Sequence, residues 1–184
     1  QADSLDSVEA AVAIRSFVSQ ANEILRDQSP ANSLVLRGFS QFPDWPRFND
    51  VFGLNSNAIA MYPMYRGVAK LVGMHVMPPA NSMEEEMDML EATWKDYDFF
   101  FVHIKKTDSA GEDGNFDLKV HVIEQVDALL PRILNLNPDV LIVTGDHSTP
   151  ALLKSHSWHP VPTMLYSPTC RPDGIGEYGE RACS

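Results

Sequence analysis

The chain has 184 residues, with 14 Lys and Arg against 25 Asp and Glu for a net charge of −11, and 44% of it is hydrophobic. That apolar share supports a real core and excludes a wholly disordered chain, while the acidic balance argues against a nucleic-acid-binding domain, which carries clustered Lys and Arg. No apolar run approaches the ~20 residues of a membrane helix, no basic-then-apolar leader opens the sequence, and two cysteines (Cys170 and Cys183) fit a reducing, cytoplasmic protein better than a disulfide scaffold.

The length suits one domain, or one plus a piece of another. Residues 8–27 place Val8, Ala11, Val12, Ile14, Phe17, Val18, Ala21, Ile24 and Leu25 on one broad helical face, with Asp6 and Glu9 spaced as a capping pair. Ser33–Leu36 reads as a short strand ending at Arg37-Gly38. Residues 38–56, rich in Pro, Gly and aromatics, read as a connector, with a boundary near residue 50. Beyond it strands and helices alternate. Asn57–Met61 is a strand, 64–72 a helix stopped by Gly73, Met74–Met77 a strand, and 82–95 an acidic helix after Pro78-Pro79. Asp98–Ile104 (DFFFVHI) is a continuous apolar run of the kind buried on both faces of a parallel sheet. A helix follows over 116–134, with Phe116, Val120, Ile123, Val126, Leu130 and Ile133 at helical spacing. Asp139–Thr144 (DVLIVT) is a second buried strand, 150–155 a short helix, and Thr163–Tyr166 a last strand. The pattern predicts an α/β fold with a mostly parallel sheet, in which the two apolar runs lie as neighbouring or near-neighbouring central strands. Residues 171–184 hold turn formers and no further element. Together with Gln1 in place of an initiating Met, this reads as a piece of a longer protein.

Sites in open α/β sheets form beyond the carboxyl ends of the strands. After DFFFVHI comes a polar segment with Asp108 and Glu112. After DVLIVT comes Gly145-Asp146-His147-Ser148-Thr149-Pro150, followed by His156 within HSWHP. Carboxylates and imidazoles from separate strand ends form the ligand set of Zn, Mn or a similar divalent ion. Adjacent Asp146 and His147, pointing apart, would feed two ions, and two ions about 3.5–4 Å apart are the usual clamp for displacement at phosphorus. Plainer readings stand beside this one. Asp108 and Asp146 also suit helix N-termini, His75 and His121 read as structural, and His159 as packing beside Trp158.

The strings HIKKTDSAGEDGNFDLKV, VTGDHSTP and HSWHPVP resemble the C-terminal half of the archaeal-type cofactor-independent phosphoglycerate mutases, members of the alkaline phosphatase superfamily. LVLRGFSQFPDW and AIAMYPMYRGVAKLVGM resemble the segment just before it. The resemblance implies a three-layer α/β/α alkaline-phosphatase-like core, incomplete here. Residues 1–50 would be the tail of a cap domain and 51–184 the second half of the metal-binding domain. It implies glycolytic interconversion of 3-phosphoglycerate and 2-phosphoglycerate through a phosphoserine, with two divalent metals (Mn, Mg or Zn). Asp108 and His156 match ligands of one metal, and Asp146 and His147 those of the other. Glu112 stands where the family often has His, which favours Mn or Mg over Zn. Arg37, Arg66 and Lys70 are the candidate substrate cations. The family's nucleophilic serine segment has no counterpart in this sequence, so the chain by itself is expected to be inactive. Ser148 and Thr149 read as capping groups. The partner is a small-molecule phosphoglycerate, with no nucleic acid or membrane. The rivals are a phosphohydrolase or other phosphomutase of the superfamily, and a non-catalytic α/β binding module.

Overall fold

A computed structural model describes residues 7–183, so the Asp6 half of the expected capping pair lies outside it. The chain divides into two compact units, 1–44 and 45–184.

The first unit is built on helix α1 (Val8–Leu25), which buries none of its residues. Its apolar side stays open, with Val12, Phe17 and Ile24 all more than half exposed. Ser33–Leu36 is not a strand. It has no ladder partner among the described residues, and the Asn22 side chain takes that place, its Oδ1 accepting from Ser33 Oγ at 3.0 Å and Leu34 N at 3.3 Å.

In the second unit the connector contains a short helix, α2 (Phe48–Phe52), closed by Gly53 in the left-handed conformation. Strands β1 (Ser56–Ala60), β2 (His75–Val76) and β3 (Phe99–His103) form a parallel sheet in the order β2-β1-β3. Helices α3 (Pro63–Leu71) and α4 (Met83–Thr93) connect them. β3 leads into α5 (Lys106–Glu112) and then α6 (Phe116–Asn135). Strands β4 (Leu141–Val143) and β5 (Met164–Tyr166) pair antiparallel as a separate ribbon.

The alternation of side chains along β3 assigns its two faces. Phe100 and Val102 join Ile59 of β1, Met87 and Leu90 of α4, and Leu129, Ile133 and Leu136 in one apolar cluster. On the other face Phe99 meets Phe48 at 4.8 Å between ring centroids, and His103 stacks on Tyr65 at 3.8 Å. Ser82 caps α4 by accepting from Glu85 N, and Asn115 caps α6 by accepting from Leu118 N. Arg132 of α6 ties down α4 through Asp88 at 2.7 Å and Glu91 at 2.6 Å.

The fully buried central strand is β1 (SNAIA), with Asn57 satisfied by Thr93 Oγ1 and His75. β3 is only half-buried along its length, because among the described residues it has a neighbour on one edge alone. β4 is not a central parallel strand; it pairs with β5, and Ile142 is 57% exposed. An unbroken apolar run signals burial, yet the edge it pairs along depends on residues far away in sequence. On α6 the buried side runs through Val122, Leu129 and Ile133, continued by Leu136 just past its end, while Phe116, Val120 and Ile123 face outward. Residues 150–154 form a single hydrogen-bonded turn ending at Lys154 in the left-handed region, not a helix.

Candidate metal centre

The carboxyl ends of β1, β3 and β4 each launch a segment that carries charged or aromatic side chains. The polar segment after β3 is helix α5, which puts Asp108 and Glu112 four residues apart on one helical face. The segment after β4 is an irregular loop through Asp146 and Pro150, bridged at Ser148 to Ser157 of the next loop.

Two of these, α5 after β3 and the loops after β4, bring all five expected carboxylate and imidazole groups together. His156 Nε2 lies 3.5 Å from Asp108 Oδ1 and 3.4 Å from Glu112 Oε1. His147 Nδ1 lies 3.8 Å from Asp108 Oδ1, and its Nε2 lies 3.4 Å from Asp146 Oδ2. The two imidazoles are 3.9 Å apart between centroids. Asp146 and His147 do not point apart as expected. The His147 amide donates to Asp146 Oδ1 at 2.9 Å, which curls the carboxylate back toward the ring that follows it.

One ligand atom each from Asp108, His147 and His156 falls within a 4.8 Å group. One carboxylate and two imidazoles are ligand types that suit a divalent transition metal. Glu112 and Asp146 flank that group with further hard oxygens.

Sequence reasoning missed four participants. Lys105 pairs with Asp108 Oδ2 and lies over the Tyr62 ring at 5.0 Å. Tyr65 donates to Asp146 Oδ2. Thr149, expected to cap a helix, instead donates to Asp108 Oδ1 at 2.5 Å. Glu180 Oε1 accepts from Ser148 Oγ at 3.3 Å and faces His159 Nε2 at 3.3 Å, so His159 joins a polar group rather than packing beside Trp158, which is 95% exposed. The twin lysines after β3 were the one visible signal, since a cation three residues before Asp108 on a helix can reach back to it.

The electrostatics follow from these contacts. Burial would raise the Asp108 carboxyl, but bonds from Lys105 and Thr149 and the nearby charges hold it below the ordinary range. Asp146 behaves alike, with the Tyr65 bond and His147 outweighing burial. Burial and the Asp146 bond push the Tyr65 phenol up to about 12, so it stays a donor. Burial lowers the pKa of His103, whose Nδ1 is buried without a hydrogen-bond partner among the described residues.

The substrate-cation candidates are placed differently. Arg66 commits Nη1 to two carbonyls, Ala60 O at 3.0 Å and Met77 O at 2.7 Å, strapping the carboxyl ends of β1 and β2 together. Lys70 is exposed near the end of α3. Arg37 is exposed in the first unit. His75 is held by Asn57 and stacks on Tyr97, and His121 is exposed on α6, both outside the cluster.

A family profile described as the Metalloenzyme superfamily matches residues 23–184. The chain belongs to the Metalloenzyme superfamily. It is 56% identical over 168 residues to the probable 2,3-bisphosphoglycerate-independent phosphoglycerate mutase of Thermosipho africanus, covering 91% of this chain and 42% of that protein. The PH0037 protein from Pyrococcus horikoshii superposes with a TM-score of 0.86 at 31% identity, over 97% of this chain and 53% of that one. The cofactor-independent phosphoglycerate mutase from Thermoplasma acidophilum superposes with a TM-score of 0.62 at 22% identity, over 95% of this chain and 47% of that one, a likeness of fold. The chain thus spans less than half the length of the curated relatives it matches. This superfamily membership agrees with a mixed α/β fold on a parallel sheet and with a cluster of metal-ligand type. No helix among the described residues is long and apolar enough to cross a membrane.

Proposed function

We propose that this chain is the metal-carrying part of a cytoplasmic cofactor-independent phosphoglycerate mutase, which interconverts 3-phosphoglycerate and 2-phosphoglycerate through a phosphoserine. The observation that carries the reading is the convergence of Asp108, His147 and His156 at the carboxyl edge of the sheet, in a chain 56% identical to a probable mutase of that kind. In this reading residues 51–184 form the second half of the metal-binding domain and residues 1–50 the tail of a cap.

Asp108, Glu112 and His156 would hold one divalent ion, with Asp146 and His147 contributing to a second. Bound there, the ions would lower the pKa of a nucleophilic hydroxyl and neutralise charge on the transferring phosphoryl group. The chain's own residues do the rest. Lys105 brings a positive charge to the mouth of the cluster, where the net charge of −11 would otherwise repel an anionic substrate. Tyr65 holds Asp146 in orientation as a permanent donor. Arg37 and Lys70 are proposed to meet the substrate's carboxylate and phosphate. Arg66, committed to two carbonyls, is the weaker candidate and Lys105 the stronger one. The phosphoryl-accepting serine is assigned to the full-length enzyme outside these 184 residues.

The test is to assay full-length protein and this chain with 3-phosphoglycerate and Mn²⁺, Mg²⁺ or Zn²⁺. Formation of 2-phosphoglycerate by the full-length protein alone is the expected result. Release of free phosphate without isomerisation would make it a phosphohydrolase. Absence of saturable metal binding would leave a non-catalytic binding module.

A further inference from the structure

Strands β4 and β5 stop pairing at Val143 and Met164, and residues 144–163 between them carry Asp146, His147 and His156 without a helix or a named strand. Regular structure therefore does not set the His147 ring against the His156 ring; contacts between the two loops must do so. The residue after each imidazole supplies them. Ser148 follows His147, Ser157 follows His156, and the Ser157 amide donates to Ser148 O at 2.9 Å. The side chains of both serines belong to one closed ring with two further residues. Ser148 Oγ donates to Glu180 Oε1 at 3.3 Å, Glu180 Oε1 lies 3.3 Å from His159 Nε2, and His159 Nδ1 lies 2.9 Å from Ser157 Oγ. Ser157 Oγ completes the ring 3.4 Å from Ser148 O.

Glu180 is the one member that comes from outside the two loops. It sits in residues 172–183, which form no helix or strand. Tyr178 fastens that segment a second time, its hydroxyl reaching Val143 O at 3.1 Å and Pro162 O at 3.2 Å. Val143 leads into the first loop and Pro162 closes the second. Loops held at few points recover conformational entropy when a point is lost, and ligands already held at their binding positions avoid that cost. We propose that Glu180 is a positioning residue, through which segment 172–183 straps the His147 and His156 loops together before a metal ion binds. The inference deepens, and rests on, the reading of the cluster as a divalent-metal site. Glu180 acts through Ser148 and His159, since its carboxylate lies outside the Asp108, His147 and His156 ligand group.

Two measurements on the full-length protein test it. The first is amide hydrogen exchange without metal, read at Ser157, whose amide bridges the loops, and across β1 as a control. Glu180→Ala should speed exchange at Ser157 about fivefold or more while β1 keeps its rate. Glu180→Gln, which keeps an acceptor oxygen, should stay within about twofold of the parent. The second is Mn²⁺ titration, in which the alanine variant should bind roughly tenfold more weakly and the glutamine variant within about threefold of the parent. Unchanged exchange at Ser157 in Glu180→Ala overturns the proposal whether or not metal binds. Faster exchange with the parent's Mn²⁺ affinity overturns it as well, because the strap would then serve stability alone. If the parent shows no saturable Mn²⁺ binding, the metal reading falls, and the exchange result separately decides whether Glu180 joins the loops. The Glu180 side chain is 58% exposed, so its loss spares the core. His159→Phe breaks the ring from within the second loop and should speed Ser157 exchange in the same way, which keeps the test decisive where Glu180→Ala does not fold.

Discussion

Gly111 of α5 packs directly against Thr149 of the loop after β4. A Cβ built on Gly111 would collide with the Thr149 carbonyl oxygen and lie 3.0 Å from its Cγ2. Gly111 is buried and its backbone is helical, so closeness rather than backbone freedom is what excludes a side chain here. Gly111→Ala should push α5 away from the loop, destabilising the chain by roughly 1–3 kcal/mol through overpacking. Asp108 rides on the same helix, so metal affinity should fall with stability. Urea unfolding and Mn²⁺ titration of the variant check both. An unchanged urea midpoint would show that the helix and loop can part freely.

Asp108 is the group most of the cluster shares, facing His156, His147, Thr149 and Lys105. Asp108→Asn keeps the shape and removes the charge. Metal affinity should drop by about a hundredfold or more, since a neutral amide replaces an anionic ligand. A chelator-treated sample should show that the metal-free fold survives, by circular dichroism. Equal affinity in the two proteins would remove Asp108 from the ligand set.

By the resemblance, Glu112 stands at the position where the phosphoglycerate mutases often carry histidine. Its Oε1 is 3.4 Å from His156 Nε2, close enough to share an ion. Glu112→His exchanges a hard oxygen for a borderline nitrogen, which should shift preference from Mn²⁺ toward Zn²⁺ by about tenfold. Competition titrations with the two metals read the ratio directly. A ratio that does not move would place Glu112 outside the coordination shell.

Glu86 of α4 is fully buried, and among the described residues its carboxylate oxygens have the Met61 amide nearby but no hydrogen bond of good geometry. Burial pushes its pKa up to about 7, opposed by the Met61 amide and the charge of Lys106. The folded chain therefore holds a proton that the unfolded chain releases between the ordinary carboxylate range near ~4 and about 7. Stability should fall as pH rises through that window, and the loss should be complete above it. Glu86→Gln should remove the slope, leaving the variant more stable than the parent at pH 8 by on the order of 2–3 kcal/mol. The gap should narrow by pH 5. Urea midpoints of both proteins across this range, in chelator, provide the check, and a flat profile for the parent would count against a charged, buried Glu86.

Most of the elements are local properties of the sequence. The 3.6-residue period over 116–134, the stop at Gly73 and the apolar run Phe99–Val102 need only near neighbours to declare themselves, and each is present within a residue or two of its expected place. The carboxylates and histidines of the cluster were also legible, because their types and spacing follow two strand ends. Pairing was not legible. β3 lies beside β1 and β4 beside β5 because of registers such as Ala60 with His103 and Leu141 with Tyr166, which join distant segments. The same holds for the finer chemistry. That Asp146 curls toward His147, that Tyr65 reaches Asp146 and that Thr149 serves Asp108 rather than a helix end all depend on where packed elements set their side chains. A sequence states which groups are present and how far apart they lie along the chain. Only the packed structure brings them within a few ångströms, the range over which hydrogen bonds and charges act.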